Sequence, residues 1–132
     1  VDAIYSNGVI QYLSISELVL FFEACKKALN EKGRVILLNI PNVNSQWLFL
    51  LGFYKHERSV SFLKILKGSF ALAAKVLSYK ILKRRPFDDG IGNWYSIEQI
   101  RKTAEDQGYE VEIYGSLTVN YYYRFHAVLT KK

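Results

Sequence analysis

Two hydrophobic periods alternate along this chain, and the switches between them outline its elements. Residues 1–6 form a short apolar run closing on Ser6, Asn7 and Gly8, the pattern of a buried strand followed by a turn. Ser14 stands three residues before Glu17. At that spacing the serine oxygen takes a free backbone N–H and the glutamate reaches back to the cap. Leu18, Phe21, Phe22, Cys25, Ala28 and Leu29 then recur at helical spacing, the stripe of a helix packed on a core. Lys26 and Lys27 suit the negative end of its dipole, and Gly33 is the expected stop. Residues 34–40 are apolar on both faces at their centre, as in a strand covered by helices on both sides, and Pro41 ends them. Strand, helix and strand in about 40 residues make a βαβ unit with parallel strands and a right-handed crossover.

Residues 43–93 break this rhythm as a helical insert. Residues 47–54 are apolar all round, and residues 59–83 predict a long helix. Leu63, Leu66, Phe70, Ala74, Leu77 and Ile81 share one of its faces, and Lys64, Lys67, Lys75 and Ser78 the opposite one. Gly68 is a mild weakness within it. Residues 86–93 read as a loop. Regularity then returns. Ser96 and Gln99 form a second capping box, Ile97, Ile100 and Ala104 a helical stripe, and Gly108 a stop. Val111 and Ile113 alternate with Glu110 and Glu112 in a strand wet on one face. Residues 116–120 turn, and residues 123–130 form a last strand, antiparallel to the one before.

The chain has 132 residues, half of them hydrophobic, which suits a single domain with a substantial core. One cysteine excludes an internal disulfide framework and a multi-cysteine metal site. Cys25 lies on the core stripe and reads as packing. His56 and His126 have no partner at ligand spacing, so no metal is expected. The net charge of +6 is unevenly placed. Residues 55–85 hold nine basic residues against Glu57 alone, so the rest of the chain is slightly acidic. That distribution argues for a local anion-facing element rather than specific nucleic-acid binding. No apolar run is long enough to span a bilayer and no leader pattern opens the chain, so a cytoplasmic location is expected. The chain neither begins with methionine nor contains one, and it reads as a piece of a longer protein.

The order of elements resembles the C-terminal half of a class I S-adenosylmethionine-dependent methyltransferase. Residues 1–13 (VDAIYSNGVIQYL) are similar to that family's fourth strand and following loop. Residues 29–37 (LNEKGRVIL) are similar to the entry into its fifth strand, with Glu31-Lys32-Gly33 in place of the usual Pro-Gly-Gly. Residues 95–111 resemble its last helix and sixth strand, and residues 124–129 (RFHAVL) its inserted antiparallel seventh strand. The resemblance implies an α/β, Rossmann-like three-layer fold, present in part: two parallel strands, helices and a terminal antiparallel hairpin. Residues 1–132 would be the C-terminal part of one methyltransferase domain. The glycine-rich turn and ribose-binding carboxylate with which the family holds its cofactor are not in this sequence, and Gly90-Ile91-Gly92 follows no strand. The partner it lacks would be the N-terminal half of the domain. The isolated chain is expected to be inactive, to bind cofactor weakly and to associate through residues 2–6.

By the same resemblance, Tyr5, Ser6 and Asn7 would face the methionine end of S-adenosylmethionine, and Gln11 would also lie beside the cofactor. Tyr12 stands where the family meets its acceptor, or else is half-buried packing. Asn39 and Asn42 flank Pro41 and serve either the acceptor or the turn. Trp94 and Tyr95 close an acceptor pocket or anchor the helix that follows. The acceptor would be a small molecule or a sugar-type hydroxyl or amine, and alignment would supply much of the catalysis. The basic insert could be a lid, an anion site, a peripheral membrane contact through residues 47–85, or a solvated lysine face on a helix packed against the domain. The alternative to an enzyme is a non-catalytic α/β binding module whose insert engages a membrane or an anionic polymer.

Overall fold

The computed structural model describes residues 1–52, 61–82, 87–116 and 123–132. Its frame is a four-stranded sheet. Strand β1 (Ala3–Asn7) leads through helix α1 (Ile15–Ala28) to β2 (Arg34–Pro41). Two short helical pieces follow, a 3-10 turn at Val43–Ser45 and α2 (Gln46–Leu50), and then the long α3 (Phe62–Ile81). Helix α4 (Ile97–Asp106), β3 (Tyr109–Gly115) and β4 (Arg124–Lys131) complete the chain. The order across the sheet is β1-β2-β4-β3, with β1 and β2 parallel and the other two pairings antiparallel. The last strand in sequence thus lies between β2 and β3.

Both capping boxes form. The Ser14 hydroxyl accepts from the Glu17 N–H and the Glu17 carboxylate accepts from the Ser14 N–H; Ser96 and Gln99 do the same for α4. Leu18, Phe22 and Cys25 of α1 and Ile100 and Ala104 of α4 bury against Val35, Leu37, Val111, Ala127 and Leu129 of the sheet. Tyr109 closes this core: its ring meets Phe22 edge-on, and its hydroxyl donates to the Phe22 carbonyl at 2.9 Å. Burial pushes its pKa up to about 12, so it stays a donor throughout the physiological range. Cys25 is buried in the same layer, its thiol pKa raised by desolvation, as a packing role requires.

Several expectations need correction. Ala28 is exposed rather than part of the buried stripe. Gly33 does not stop α1, which ends at Ala28; Lys32 takes the left-handed turn at φ 59°. Gly33 is instead needed for space, since a Cβ there would meet the Leu29 side chain at 2.9 Å. Among the described residues α1 and α4 share the core on one face of the sheet. Tyr5, Ile36, Leu38 and Val128 alternate with the core positions onto the other face, where none is fully buried. On that second face His126 alone of β4 is buried, so this side of the sheet is covered in part.

The long helix departs furthest from expectation. Leu63, Leu66, Phe70, Ala74, Leu77 and Ile81 are all exposed, so their stripe is not packed on the domain. The side turned inward carries Ile65, Gly68, Leu72 and Tyr79. Gly68 is the point of closest approach: a Cβ there would lie 2.4 Å from the Leu51 carbonyl oxygen. Of the expected long helix, residues 59, 60 and 83 lie outside the described residues, as do residues 53 and 54 of the apolar run and 117–120 of the expected turn.

The two apolar stripes should respond oppositely to truncation. Phe22→Ala is expected to cost about 3–5 kcal/mol in urea unfolding, and Phe70→Ala about 0.5 kcal/mol or less. Equal losses would mean that α3 packs through its apolar stripe after all.

Candidate functional site

Ligands of open α/β sheets bind beyond the C-terminal ends of parallel strands. Here that position is built by the ends of β1 and β2, the 3-10 turn at Ile10–Tyr12 and the start of β4. Pairing between β2 and β4 slips between Leu37 and Ile40. Asn39 stands in this bulge in the left-handed region, at φ 60°, which asparagine tolerates better than most residues. The bulge turns its amide toward β1, where Nδ2 donates to Asn7 Oδ1 at 2.7 Å. Both of its backbone polar groups are held from β4: the N–H donates to His126 Nδ1 at 3.0 Å, and the carbonyl accepts from Arg124 at 2.6 Å. Arg124 also donates to Gln11 Oε1 at 3.2 Å and lies over the Tyr123 ring. Asn7, Gly8, Asn39 and Arg124 line a cavity of about 210 Å³.

Two further contacts fix the rim. Gly92, at φ 97°, brings the 88–93 loop against the 3-10 turn so closely that a Cβ would stand 2.6 Å from the Gln11 carbonyl oxygen. Asn93 then donates from its backbone to that carbonyl at 2.6 Å and from its side chain to the Leu13 carbonyl at 2.7 Å. The Tyr95 hydroxyl, buried beneath, sits on the carbonyls of Ile10, at 2.9 Å, and Leu13. Nearby, Trp94 packs at a tilt against Phe49 and Tyr123 and donates to Asp89 at 2.7 Å.

The residues singled out in the sequence divide accordingly. Asn7, Gln11 and Asn39 come together through direct bonds and Arg124. Tyr5 is 70% exposed on the open face of β1, whereas Ser6 points the other way, buried beneath the helices. Alternation along a strand separates neighbours in this way, so the Ser6 side chain cannot join those of Tyr5 and Asn7. Tyr12 is exposed at the rim. The side chain of Asn42 accepts from the Asn44 N–H, which is turn chemistry. Tyr95 is an internal latch, its buried hydroxyl on the Ile10 and Leu13 carbonyls. Trp94 does line a cavity, with Gln46, Leu50, Phe87, Asp88, Asp89 and Gly92. Arg124 and His126 were not anticipated. Their place depends on β4 inserting beside β2, which no local pattern encodes. Among the described residues no group of acidic, histidine or cysteine side chains could hold a metal.

The fold has counterparts among solved structures. A possible exported protein from Bordetella parapertussis matches 98% of this chain at a TM-score of 0.57 and 12% identity. An O-methyltransferase family 2 protein from Planctomyces limnophilus, solved with apigenin, matches 99% at a TM-score of 0.52 and 16% identity. The chain is thus a mixed α/β protein of methyltransferase-like fold, and at these identities the likeness is one of fold alone. It spans 38% and 30% of the length of those two proteins. No protein-family model and no curated protein matches it.

The hydrogen bond from Asn39 to His126 has a consequence for pH. Burial holds the imidazole pKa below its ordinary value, so the neutral ring is the folded form and its Nδ1 is an acceptor. A depressed pKa stabilises the fold above the ordinary value, near pH 6.5, and that contribution is lost as pH falls through the lowered value. Thermal unfolding of wild type should therefore lose more of its midpoint between pH 7.5 and 5 than that of a His126→Phe variant. Parallel curves would contradict the assignment.

Proposed function

We propose that this chain is the C-terminal portion of a class I S-adenosylmethionine-dependent methyltransferase domain. The whole protein would transfer a methyl group to a small molecule or a sugar-type hydroxyl or amine. The observation that carries the reading is the strand order. A parallel βαβ pair is followed by a hairpin whose final strand inserts inside its predecessor, and the resemblance in residues 1–13, 29–37 and 95–111 follows the same sequence of elements. The likeness of fold to an O-methyltransferase supports it.

S-adenosylmethionine supplies a methyl group on a sulfonium, already activated and departing from a neutral leaving group. The task of the chain is then mainly to bind and align. Tyr5 and Asn7 at the end of β1 are the side chains offered to the cofactor. Asn39, bonded to Asn7, sets the orientation of its amide. Gln11 acts one step behind, tying the 3-10 turn to Arg124. Ser6 contributes backbone alone. The cavity beside Asn7 is smaller than the roughly 300 Å³ at which small-molecule sites begin. It fits one end of the cofactor, and a glycine turn and a carboxylate elsewhere in the whole protein would hold the rest. On the acceptor side, Tyr12 and Trp94 remain available at the rim, whereas Asn42 and Tyr95 act as scaffold.

Calorimetry of the full-length protein with S-adenosylhomocysteine tests this reading. Wild type is expected to bind, and Asn7→Leu to weaken binding at least about tenfold, equivalent to about 1.4 kcal/mol, in a variant whose unfolding midpoint is unchanged. Undiminished affinity would remove Asn7 from the site, and no binding by wild type would remove the methyltransferase reading.

A further inference from the structure

Helix α3 presents to solvent what a packed helix would hide. Phe62, Leu63 and Phe70 are 76%, 66% and 70% exposed, and none of the 20 residues is buried. Its orientation is set by Gly68 against the Leu51 carbonyl, with Ile65, Leu72 and Tyr79 on the same side and the Tyr79 ring on Phe87. At about 100° per residue, Leu77 lies about 180° around the helix from Gly68, and Leu66 and Phe70 about 160°. Leu63 and Ile81 both fall about 140° away, together on the Lys67 side of that line. The apolar stripe is therefore centred on the direction facing away from the domain. Lys67 and Lys80 stand on its two flanks, about 100° and 120° from Gly68. No acidic residue occurs anywhere from 58 to 87.

We propose that α3 lies flat on an anionic lipid surface, its Leu63, Leu66, Phe70, Leu77 and Ile81 face among the acyl chains and Lys67 and Lys80 at the headgroups. Charge complementarity selects this occupant. A second copy of the same face would bring lysine flanks together with no carboxylate between them, whereas an anionic bilayer supplies the missing negative charge. An apolar stripe flanked by lysines whose stems reach along the apolar surface is the composition of helices that bind in the interfacial plane. The helix lies on the membrane and does not cross it: among the described residues no helix is long and apolar enough to span a bilayer. This surface is opposite the contact with the domain, so its use is separable from the site at the ends of β1 and β2.

Co-sedimentation of the intact protein with vesicles tests the proposal without any turnover. Wild type should pellet with mixed phosphatidylserine–phosphatidylcholine vesicles and far less with phosphatidylcholine alone. The Lys67→Gln, Lys80→Gln double variant should bind the mixed vesicles roughly thirtyfold more weakly, from the loss of two lysine–headgroup attractions. Phe70→Ser with Leu77→Ser should abolish binding while circular dichroism shows the helix content retained, since both positions are exposed. Failure of wild type to pellet with the anionic vesicles would overturn the proposal. So would undiminished binding of the serine variant. A solution dimer that the serine variant dissolves, with no vesicle binding, would assign the face to a second copy.

Discussion

Everything at the candidate site depends on β2 pairing in two directions at once. One edge of the strand runs parallel to β1 and the other antiparallel to β4, and only the pairing with β4 is interrupted. That slip falls between Leu37 and Ile40. It leaves Asn39 in a left-handed conformation held by bonds from both neighbouring strands: Asn7 on one side, Arg124 and His126 on the other. A residue in that conformation is strained unless its surroundings over-determine it, and such positions gather where ligands bind. The polar cluster is thus a product of sheet topology. If β3 and β4 were paired in simple sequence order beside β2, β3 rather than β4 would meet it, and neither Arg124 nor His126 would reach Asn39.

The remainder of the chain divides by what it leans on. Helices α1 and α4 share one core with the sheet, and Tyr109 ties that core to the backbone of α1 through Phe22. The 88–93 loop is stitched to the 3-10 turn through Gly92, Asn93 and Tyr95, so the rim of the site is set by backbone contacts, not by the side chains that face outward. Helix α3 meets the domain closely at Gly68, where the absence of a side chain lets it approach the Leu51 carbonyl. A glycine that lowers helix propensity is kept because a tertiary contact needs it.

Local chemistry was legible in the sequence and long-range chemistry was not. The two capping boxes, the left-handed Gly108 and the alternation at Val111 and Ile113 depend on residues within a few positions of one another. Periodicity also located α3, since amphipathic spacing reports that a helix forms. It does not report what covers the apolar side, and this stripe faces solvent instead of the core. The stop for α1 was misplaced because Gly33 is retained for its closeness to Leu29, while Lys32 carries the turn. Position relative to strand ends singled out Asn7, Gln11 and Asn39, which direct bonds and Arg124 bring together. Arg124 and His126 were missed because they arrive from a strand nearly 90 residues away. Ser6 was singled out with Tyr5 and Asn7, and the period of two that makes it part of a strand turns its side chain from their face.

The most direct test is a crystal structure of the full-length protein with S-adenosylhomocysteine. The account predicts the amino-acid end of the ligand beyond the C-terminal ends of β1 and β2, against Tyr5 and Asn7, with Asn39 still bonded to Asn7 in its left-handed turn. A ligand bound elsewhere, for example in the groove between α1 and α4 lined by Val19, Lys102 and Gln107, would contradict it.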